Sequence, residues 1–177
     1  MINRLLFWLT GFLPCRLIKP GGKPYLERYH VLALGQWRVY LHRFHAPDGQ
    51  GHHDHPFGWS LAIPLCGGYM EERVAYLDPY LGPCIRKRRM FPGRPNVIRA
   101  GDFHRISMVK PGTWTLFIHG PRAKDWGHLC PVDEGSGQIL YVAAAGTGTD
   151  PVWHRSAAIG RDAGREPFSV GVWHESV

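Results

Sequence analysis

Three histidines lie within four positions in the stretch Gly51-His52-His53-Asp54-His55-Pro56-Phe57-Gly58-Trp59. Side chains of a β-strand alternate between its two faces, so His53 and His55 are predicted to share a face with Cα atoms roughly 6.5 Å apart. Two imidazoles at that separation can bind one metal ion. A solvated histidine-rich turn is the alternative, and the glycines and aspartate of residues 48–51 favour it. The apolar run 59–65 favours the metal site, because it places the histidines at the entrance of a buried strand.

A second informative stretch is Val97-Ile98-Arg99-Ala100-Gly101-Asp102-Phe103-His104-Arg105-Ile106. It predicts a short strand, a Gly-Asp turn and a single histidine that opens another strand running to Val109. A lone histidine is more often packed or exposed than a metal ligand. The importance of His104 therefore depends on whether the fold brings it to the first cluster.

Length and composition indicate what must position these side chains. A chain of 177 residues is long enough for one domain with a hydrophobic core and terminal additions. It contains 22 glycines and 15 prolines, and short apolar or alternating runs recur between turn signals without long helical periodicity. This pattern is typical of an all-β fold.

The formal net charge of +7 gives weaker information, because most basic residues are spread along the chain. The exception is the run 86–89, which lacks the interleaved aromatic residues of a single-strand binding surface. We therefore predict a solvated loop or exposed strand edge there, with anionic substrates and nucleic acid as the alternatives, and we expect no nucleic-acid partner. The four cysteines are widely spaced without a Cys-X-X-Cys motif, and no convincing secretion signal precedes them, so we expect a cytoplasmic protein without a disulfide framework.

Residues 1–13 predict an amphipathic or packing helix that ends at Gly11 and Pro14 and is too short to span a bilayer. Its apolar side chains need a surface to cover them, which predicts a homodimer, with a membrane surface as the alternative. Residues 20–24 are predicted to form a linker. The predicted domain organisation is helix and linker over 1–24, β-barrel over 25–145 and C-terminal extension over 146–177.

Strands are predicted to begin near Tyr29, with a hairpin turn at residues 35–36. The strand 37–44 carries His42 on one face and Arg43 on the other, and the pattern leaves open which face is inward. Further strands are predicted, at residues 60–66, 69–77, 85–91, 104–109, 113–119 and 138–145.

These residues resemble the cupin superfamily, small jelly-roll β-barrels built from two Greek keys. The first cupin motif is matched by His53-Asp54-His55 and a closing Gly67 or Gly68, and the second by Gly101-Asp102-Phe103-His104. The resemblance implies an all-β, cupin-type jelly-roll barrel, to which the sequence pattern adds a short N-terminal helix and an irregular C-terminal extension. More narrowly, a set of short runs over about residues 25–130 is similar to an uncharacterised bacterial and phage group of cupin-like proteins: His-Asp-His-Pro, Gly-Gly-Tyr, His-Arg, Trp-Thr-Leu-Phe, Gly-Pro-Arg and Asp-Trp-Gly.

The chain departs from the cupin pattern where many members place a glutamate ligand, because Trp59 and Ser60 stand there. Met108 likewise replaces the asparagine that often closes the second motif. Glu71 and Glu72 follow in the next strand, and either would enter the site only from a position that the family does not use.

We therefore predict a three-histidine site of His53, His55 and His104 that binds one divalent metal ion. Three neutral imidazoles leave the charge of the ion uncompensated, which favours a small anionic, chelating substrate. His42, Arg43 and Glu72 are the predicted catalytic or ligand-supporting residues. The resemblance to three-histidine cupins implies iron and a dioxygenase-like enzyme, with nickel, zinc, copper or manganese as other metals. A metal-dependent isomerase, epimerase or lyase acting on a sugar or keto acid, and a non-catalytic small-molecule-binding or assembly module, remain alternatives.

Overall fold

The computed structural model describes residues 1–49, 51–78, 80–132, 138–144 and 152–168, together with the backbone of residues 174–175. One α-helix, α1 (Ile2–Leu9), precedes the strands. The strands are β1 (Cys15–Ile18), β2 (Leu26–Leu34), β3 (Trp37–Phe44), β4 (His52–His53), β5 (Trp59–Cys66), β6 (Tyr69–Asp78), β7 (Gly82–Met90), β8 (Asn96–Arg99), β9 (His104–Val109), β10 (Thr113–His119), β11 (Gly127–Pro131), β12 (Ile139–Ala143) and β13 (His174–Glu175).

These strands form two antiparallel sheets that face each other in the predicted jelly-roll arrangement. One sheet has the order β1-β2-β3-β10-β5-β8, and the other has the order β12-β11-β4-β9-β6-β7, with β13 paired to β9. Neighbours in each sheet are often distant in sequence, as with β3 and β10. This connectivity brings the first histidine cluster, on and after β4, beside β9.

The interior between the sheets has an apolar part and a polar part. Side chains from both sheets form the apolar cluster: Leu26, Phe44, Tyr69, Met90, Ile106 and Val109. On the same inner face of the first sheet, Tyr40, Ala62 and Phe117 form a second cluster, against which Phe57 and Trp153 pack. The histidines adjoin this second, aromatic cluster.

The outer face of the first sheet is covered by segments from both ends of the chain. Leu6 and Phe7 of α1 pack on the buried cluster of Cys15, Tyr29 and Trp114. The C-terminal segment lies beside them, because Arg165 donates a hydrogen bond of 2.7 Å to the Phe7 carbonyl. Because α1 is eight residues long, no helix among the residues described here has the length and apolarity needed to cross a bilayer.

Several sequence predictions are confirmed. The short N-terminal helix is present, although it ends at Leu9 rather than at the predicted Gly11, and a 3-10 turn follows over Thr10–Phe12. The β2–β3 hairpin turns at residues 35–36. The basic run 86–89 lies on β7, the last strand of its sheet, as an exposed edge.

Strand boundaries differ from prediction at both ends of the chain. Pairing begins at β1 rather than near Tyr29, because a four-residue strand between prolines is defined by its hydrogen bonds to β2 and not by its own pattern. The predicted final strand is confirmed over Ile139–Ala143, and its predicted last residue, Ala145, lies outside the described residues. Of the predicted irregular extension, residues 152–168 and the backbone of residues 174–175 are described. Residues 152–168 contain a 3-10 turn at Trp153–Arg155 and a single bridge from Ile159 to Pro14, whereas residues 174–175 form the short strand β13 on β9.

Candidate metal centre

The structure brings His53, His55 and His104 together inside the barrel. Each offers one ring nitrogen, and these three atoms all lie within 4.8 Å of one another. The Nε2 atoms of His55 and His104 are 2.9 Å apart. Among the described residues, these three histidines form the group of histidine, cysteine or acidic side chains whose ligand atoms are close enough to hold one metal ion.

Strand pairing explains the convergence. His53 on β4 and His104 on β9 are directly opposite each other in the antiparallel ladder, with ring centroids 4.8 Å apart. The rings of His53 and His55 are nearly parallel, at 5.6 Å and 18°, so they share a face as predicted. β4 itself ends at His53, and the following Asp54 is held in the opposite direction: its carboxylate accepts a 2.8 Å hydrogen bond from the Gly127 N–H and pairs with Lys124.

Glu71 fixes the ring of His104. One carboxylate oxygen of Glu71, on β6, lies 3.0 Å from His104 Nδ1. An ionised carboxylate only accepts, so Nδ1 carries the proton and the lone pair of Nε2 faces the other histidines. A carboxylate behind a histidine ligand is the usual support of a metal site, because it sets the tautomer and makes the ring a stronger donor.

Glu71 is itself held in the ionised form. Burial alone would raise the pKa of Glu71, but its interactions with His104, the hydrogen bond from Asn96 and the positive charge of Arg73 outweigh it and lower that pKa to about 2. Asn96 donates to the same carboxylate oxygen at 2.7 Å and Arg73 at 3.1 Å. The supporting carboxylate is therefore charged at neutral pH.

Asp48 lies beside Nδ1 of His53, on the side of the ring where Glu71 lies in His104, with a carboxylate oxygen 3.9 Å from that nitrogen. The backbone N–H of Ile106 donates to the same oxygen at 2.6 Å, and the hydroxyl of Tyr25 donates to the other. Asp48 thus links the loop before β4 to β9, which keeps His53 and His104 in register.

The electrostatic environment keeps two of the candidate ligands, His53 and His55, neutral. Burial lowers the pKa of His53 to about 4, with the nearby aspartates opposing that change and the other histidines adding to it. Burial, together with the neighbouring histidines and Arg28, lowers the pKa of His55 well below its ordinary value. Neutral imidazoles present lone pairs, which is the form that binds a metal ion. The three side chains therefore fit a divalent ion.

The three residues predicted to support catalysis are placed differently from one another. His42 points into the barrel, where its ring stacks on Phe117 at 5.0 Å, and Phe117 in turn lies 5.8 Å from His55. Arg43, next in sequence, points to the outer face and pairs with the buried Glu27 at 3.3 Å. Arg43 is not near the histidine group, because strand alternation separates it from His42.

Glu72 is also directed away from the histidine group. It pairs on the outer face of its sheet with Arg105 at 2.7 Å and Lys87 at 3.1 Å. Its neighbour Glu71 is the inward carboxylate. Both residues are buried, so burial alone does not distinguish them, and only the partners reveal which face each side chain occupies.

Trp59 does not occupy the position of the missing carboxylate. Its ring lies on the outside of the barrel, 38% exposed, at 4.9 Å from the ring of Trp37. Ser60 is the inward residue, and its hydroxyl is buried without a hydrogen-bond partner in the described structure.

Sequence reasoning missed three further polar side chains around the site. His128 lies opposite His53 on β11, with ring centroids 5.9 Å apart. His119 stacks on Phe57 at 3.5 Å, and burial lowers its pKa to about 4. Arg28 donates from Nε to Nε2 of His42 at 3.1 Å. None belongs to a recognisable motif, and only strand register could have identified them.

Comparison with solved structures gives distant similarities. This chain is similar to KdgF from Halomonas sp., at 18% identity and a TM-score of 0.46 over 62% of this chain and 86% of that one. It is also similar to a cupin superfamily protein from Desulfitobacterium hafniense DCB-2, at 16% identity and a TM-score of 0.39 over 60% and 98% of the two chains. A third similarity is to a sugar phosphate isomerase from a cupin superfamily of Silicibacter pomeroyi DSS-3, at 14% identity and a TM-score of 0.43 over 68% and 78%.

Protein-family models give no match to this chain, and neither do curated proteins.

Proposed function

We propose that this protein binds one divalent metal ion through His53, His55 and His104 and acts on a small anionic substrate at that ion. The observation that carries the proposal is the convergence of three ring nitrogens within 4.8 Å, one of them oriented by Glu71. Three protein ligands leave coordination positions for a substrate, whereas a structural zinc site is normally closed by four. A donor set without charge leaves the ion attractive to chelating anions.

Iron is the metal we propose, with a dioxygenase-like reaction, on the basis of the three-histidine cupins that the sequence resembles. A bound ferrous ion would supply Lewis acidity and one-electron chemistry with dioxygen. Nickel, zinc, copper and manganese are the competing metals, since imidazole suits several of them. We also propose membership of the bacterial and phage group of cupin-like proteins, supported by the shared short runs over about residues 25–130.

The residues of the chain itself would position the substrate and handle protons. Phe57, Phe117 and Tyr40 provide apolar walls beside the histidines. The Arg28 guanidinium can only donate, so Nε2 of His42 accepts and the proton of neutral His42 sits on Nδ1. His119 donates from Nδ1 to the Gly120 carbonyl at 2.7 Å, which leaves Nε2 as a base.

These two histidines favour a second candidate function, a metal-dependent isomerase, epimerase or lyase that moves a proton without redox change. Both imidazoles are neutral, because burial lowers the pKa of His42 well below its ordinary value and that of His119 to about 4. His119 would therefore accept a proton at Nε2, and His42 would donate a hydrogen bond from Nδ1 to a developing oxyanion, both on the inner face of the first sheet.

The test is metal loading under anaerobic conditions, followed by oxygen consumption. We expect the purified chain without a histidine tag to bind one ferrous ion, and we expect His53→Ala and His104→Ala to lose it. His128→Ala is the matched control, because His128 adjoins His53 but lies outside the three-histidine group. Metal binding that persists in both ligand variants would contradict the site. Oxygen uptake with candidate acids supports the dioxygenase, and turnover without uptake supports proton-transfer chemistry.

The oligomeric state that we propose is a homodimer. Its support is the apolar surface of α1, where Leu5 is 54%, Trp8 60% and Leu9 43% exposed. Light scattering of Leu5→Ser/Trp8→Ser against the unmodified chain tests the pairing, and an unchanged mass would remove the helix from that role.

A further inference from the structure

Arg28 is a basic side chain directed into the barrel. On β2 it shares the inner face with Leu26 of the apolar core, and in the β2–β3 ladder it is directly opposite His42. Its Nε donates to Nε2 of His42 at 3.1 Å, and its guanidinium carbon lies 5.4 Å from the centre of the Tyr40 ring. The side chain is therefore held by an imidazole and an aromatic face.

Arg28 also differs from Arg43 and Arg73 in having no acidic partner within the described residues. Arg43 is paired with Glu27, Arg73 with Glu71 and Asp102. No such pair involves Arg28 in the described part of the chain.

The residue opposite Arg28 on strand β1 is also a cation, which repels it rather than neutralising it. Arg16 is directly opposite Arg28 in the β1–β2 ladder, so two cations stand side by side at this edge of the barrel. Burial lowers the pKa of Arg28, and Arg16 adds to that effect while the phenols of Tyr40 and Tyr25 oppose it. A desolvated cation without a counter-charge is unfavourable in the free protein, and a bound anion would relieve that cost.

A continuous row of rings connects this cation to the candidate metal ligands. His42, which accepts the hydrogen bond from Arg28, stacks on Phe117 at 5.0 Å. Phe117 lies 5.8 Å from the ring of His55. The guanidinium and the histidine group therefore lie in the same interior, with the rings of His42 and Phe117 between them.

We propose that Arg28 is the anion-recognition residue of this barrel, binding a carboxylate or phosphate group of the substrate while a second group of the same molecule approaches His53, His55 and His104. This inference rests on the proposed function and specifies its substrate as a small acid with two separate polar ends. The planar guanidinium matches both carboxylate and phosphate oxygens, which accept two parallel hydrogen bonds. His42 is a positioning residue, because it occupies Nε and leaves the terminal nitrogens of the guanidinium to the anion.

The experiment titrates the full-length chain with inorganic phosphate, acetate and the neutral analogue acetamide. Binding is followed by ¹H–¹⁵N NMR, including the arginine Nε–H signals, with and without zinc. The variants are Arg28→Gln, which removes the charge, and Arg28→Lys, which keeps the charge but not the planar fork. Arg86→Gln is the matched control, because it makes the same charge change on an exposed position of β7.

We expect phosphate or acetate to bind the unmodified chain and the Arg86→Gln variant with the same affinity. We expect acetamide to bind neither of these two proteins. Arg28→Gln should weaken anion binding by roughly tenfold or more, because the charge-assisted bidentate contact is lost. Arg28→Lys should weaken it by less, because the charge remains and only the bidentate geometry is lost. Which of the two anions binds better identifies the substrate group.

Equal anion binding by Arg28→Gln and the unmodified chain would overturn the inference, as would equal binding of acetate and acetamide. Zinc binding measured on the same samples separates this result from the proposed function. If Arg28→Gln loads zinc normally, its barrel is folded and its anion affinity is a fair test. If no sample loads zinc while anion binding still depends on Arg28, the metal proposal fails and the anion site stands.

Discussion

Replacement of Glu71 by glutamine tests whether the carboxylate behind His104 supports metal binding. The substitution keeps the size of the side chain and removes its charge. Glu71 is fully buried, and its oxygen accepts from His104 Nδ1 at 3.0 Å. A neutral amide can still accept this hydrogen bond, but it no longer makes the ring a stronger electron donor.

The expected magnitude follows from the charge of the acceptor. A hydrogen bond to a charged group contributes about 1.5–3 kcal/mol, roughly twice a neutral one. Loss of about half of it corresponds to roughly tenfold in affinity, and complete removal in Glu71→Ala to as much as about 100-fold. The pKa of about 2, compared with the ordinary 4.5, indicates that the surroundings stabilise the ionised form by about 3 kcal/mol, which is of the same order.

Glu72→Gln is a matched control, since it removes the same charge from the adjacent position. Its carboxylate pairs with Lys87 and Arg105 on the other face of β6, so we expect zinc affinity within about twofold of the unmodified chain. Competition titration against a zinc-binding dye measures both variants, and thermal unfolding without metal checks that each is folded. Equal loss in the two variants, or no loss in Glu71→Gln, would refute the assigned role of Glu71.

Three further predictions concern the scaffold. Glu27→Gln should lower the free energy of unfolding by about 3 kcal/mol, because it breaks the buried pair with Arg43. Burial would raise the pKa of Glu27, but the neighbouring histidine, tyrosine and arginine lower it overall. The stabilisation by ionised Glu27 is therefore present above pH 4.5 and is lost as the pH falls through the lower pKa of the folded state. Urea unfolding should accordingly show a smaller difference between the variant and the unmodified chain at pH 3 than at pH 7. Gly67→Ala should lower the free energy of unfolding by about 1–3 kcal/mol, because φ of Gly67 is +78° and a Cβ there would lie 2.9 Å from the Cα of Thr113. Thermal unfolding measures this, and a stability equal to that of the unmodified chain would contradict the prediction. Asp54→Ala should accelerate amide exchange at the first residue of β11, which donates to its carboxylate at 2.8 Å, and unchanged protection there would show that the contact does not hold the loop.

The placement of His53 and His55 on one face could be predicted because its information is local. His53 and His55 are two residues apart, and a strand entrance places both on one face whether or not the ladder continues. His104 is different. It joined the prediction through the resemblance to a family, and strand pairing with His53 is the physical reason for it. Sequence separation between β4 and β9 hides that pairing from any periodicity argument.

The supporting residues could not be predicted because both faces of their strands are buried. On β3, His42 and Arg43 are consecutive and are 4% and 0% exposed, so alternation of polarity gives no inward direction. The same holds for Glu71 and Glu72 on β6. The outer face is buried in the first sheet because terminal segments cover it, and in the second because salt-bridged side chains cover it. Polar residues that have ion-pair partners on the outer face look the same in sequence as polar residues that line a site.

The covering of the first sheet by both terminal segments has a consequence for synthesis of the chain. Glu27 accepts a hydrogen bond from the backbone N–H of Glu166, and Arg43 donates to the carbonyls of Glu166 and Pro167. These contacts span more than 120 residues, and ribosomes add about 5–20 residues per second. An early strand pair therefore waits several seconds with a charged, uncovered surface until the last segment emerges. We expect nascent chains that end before residue 166 to be held by chaperones or degraded, although His53, His55 and His104 are already present.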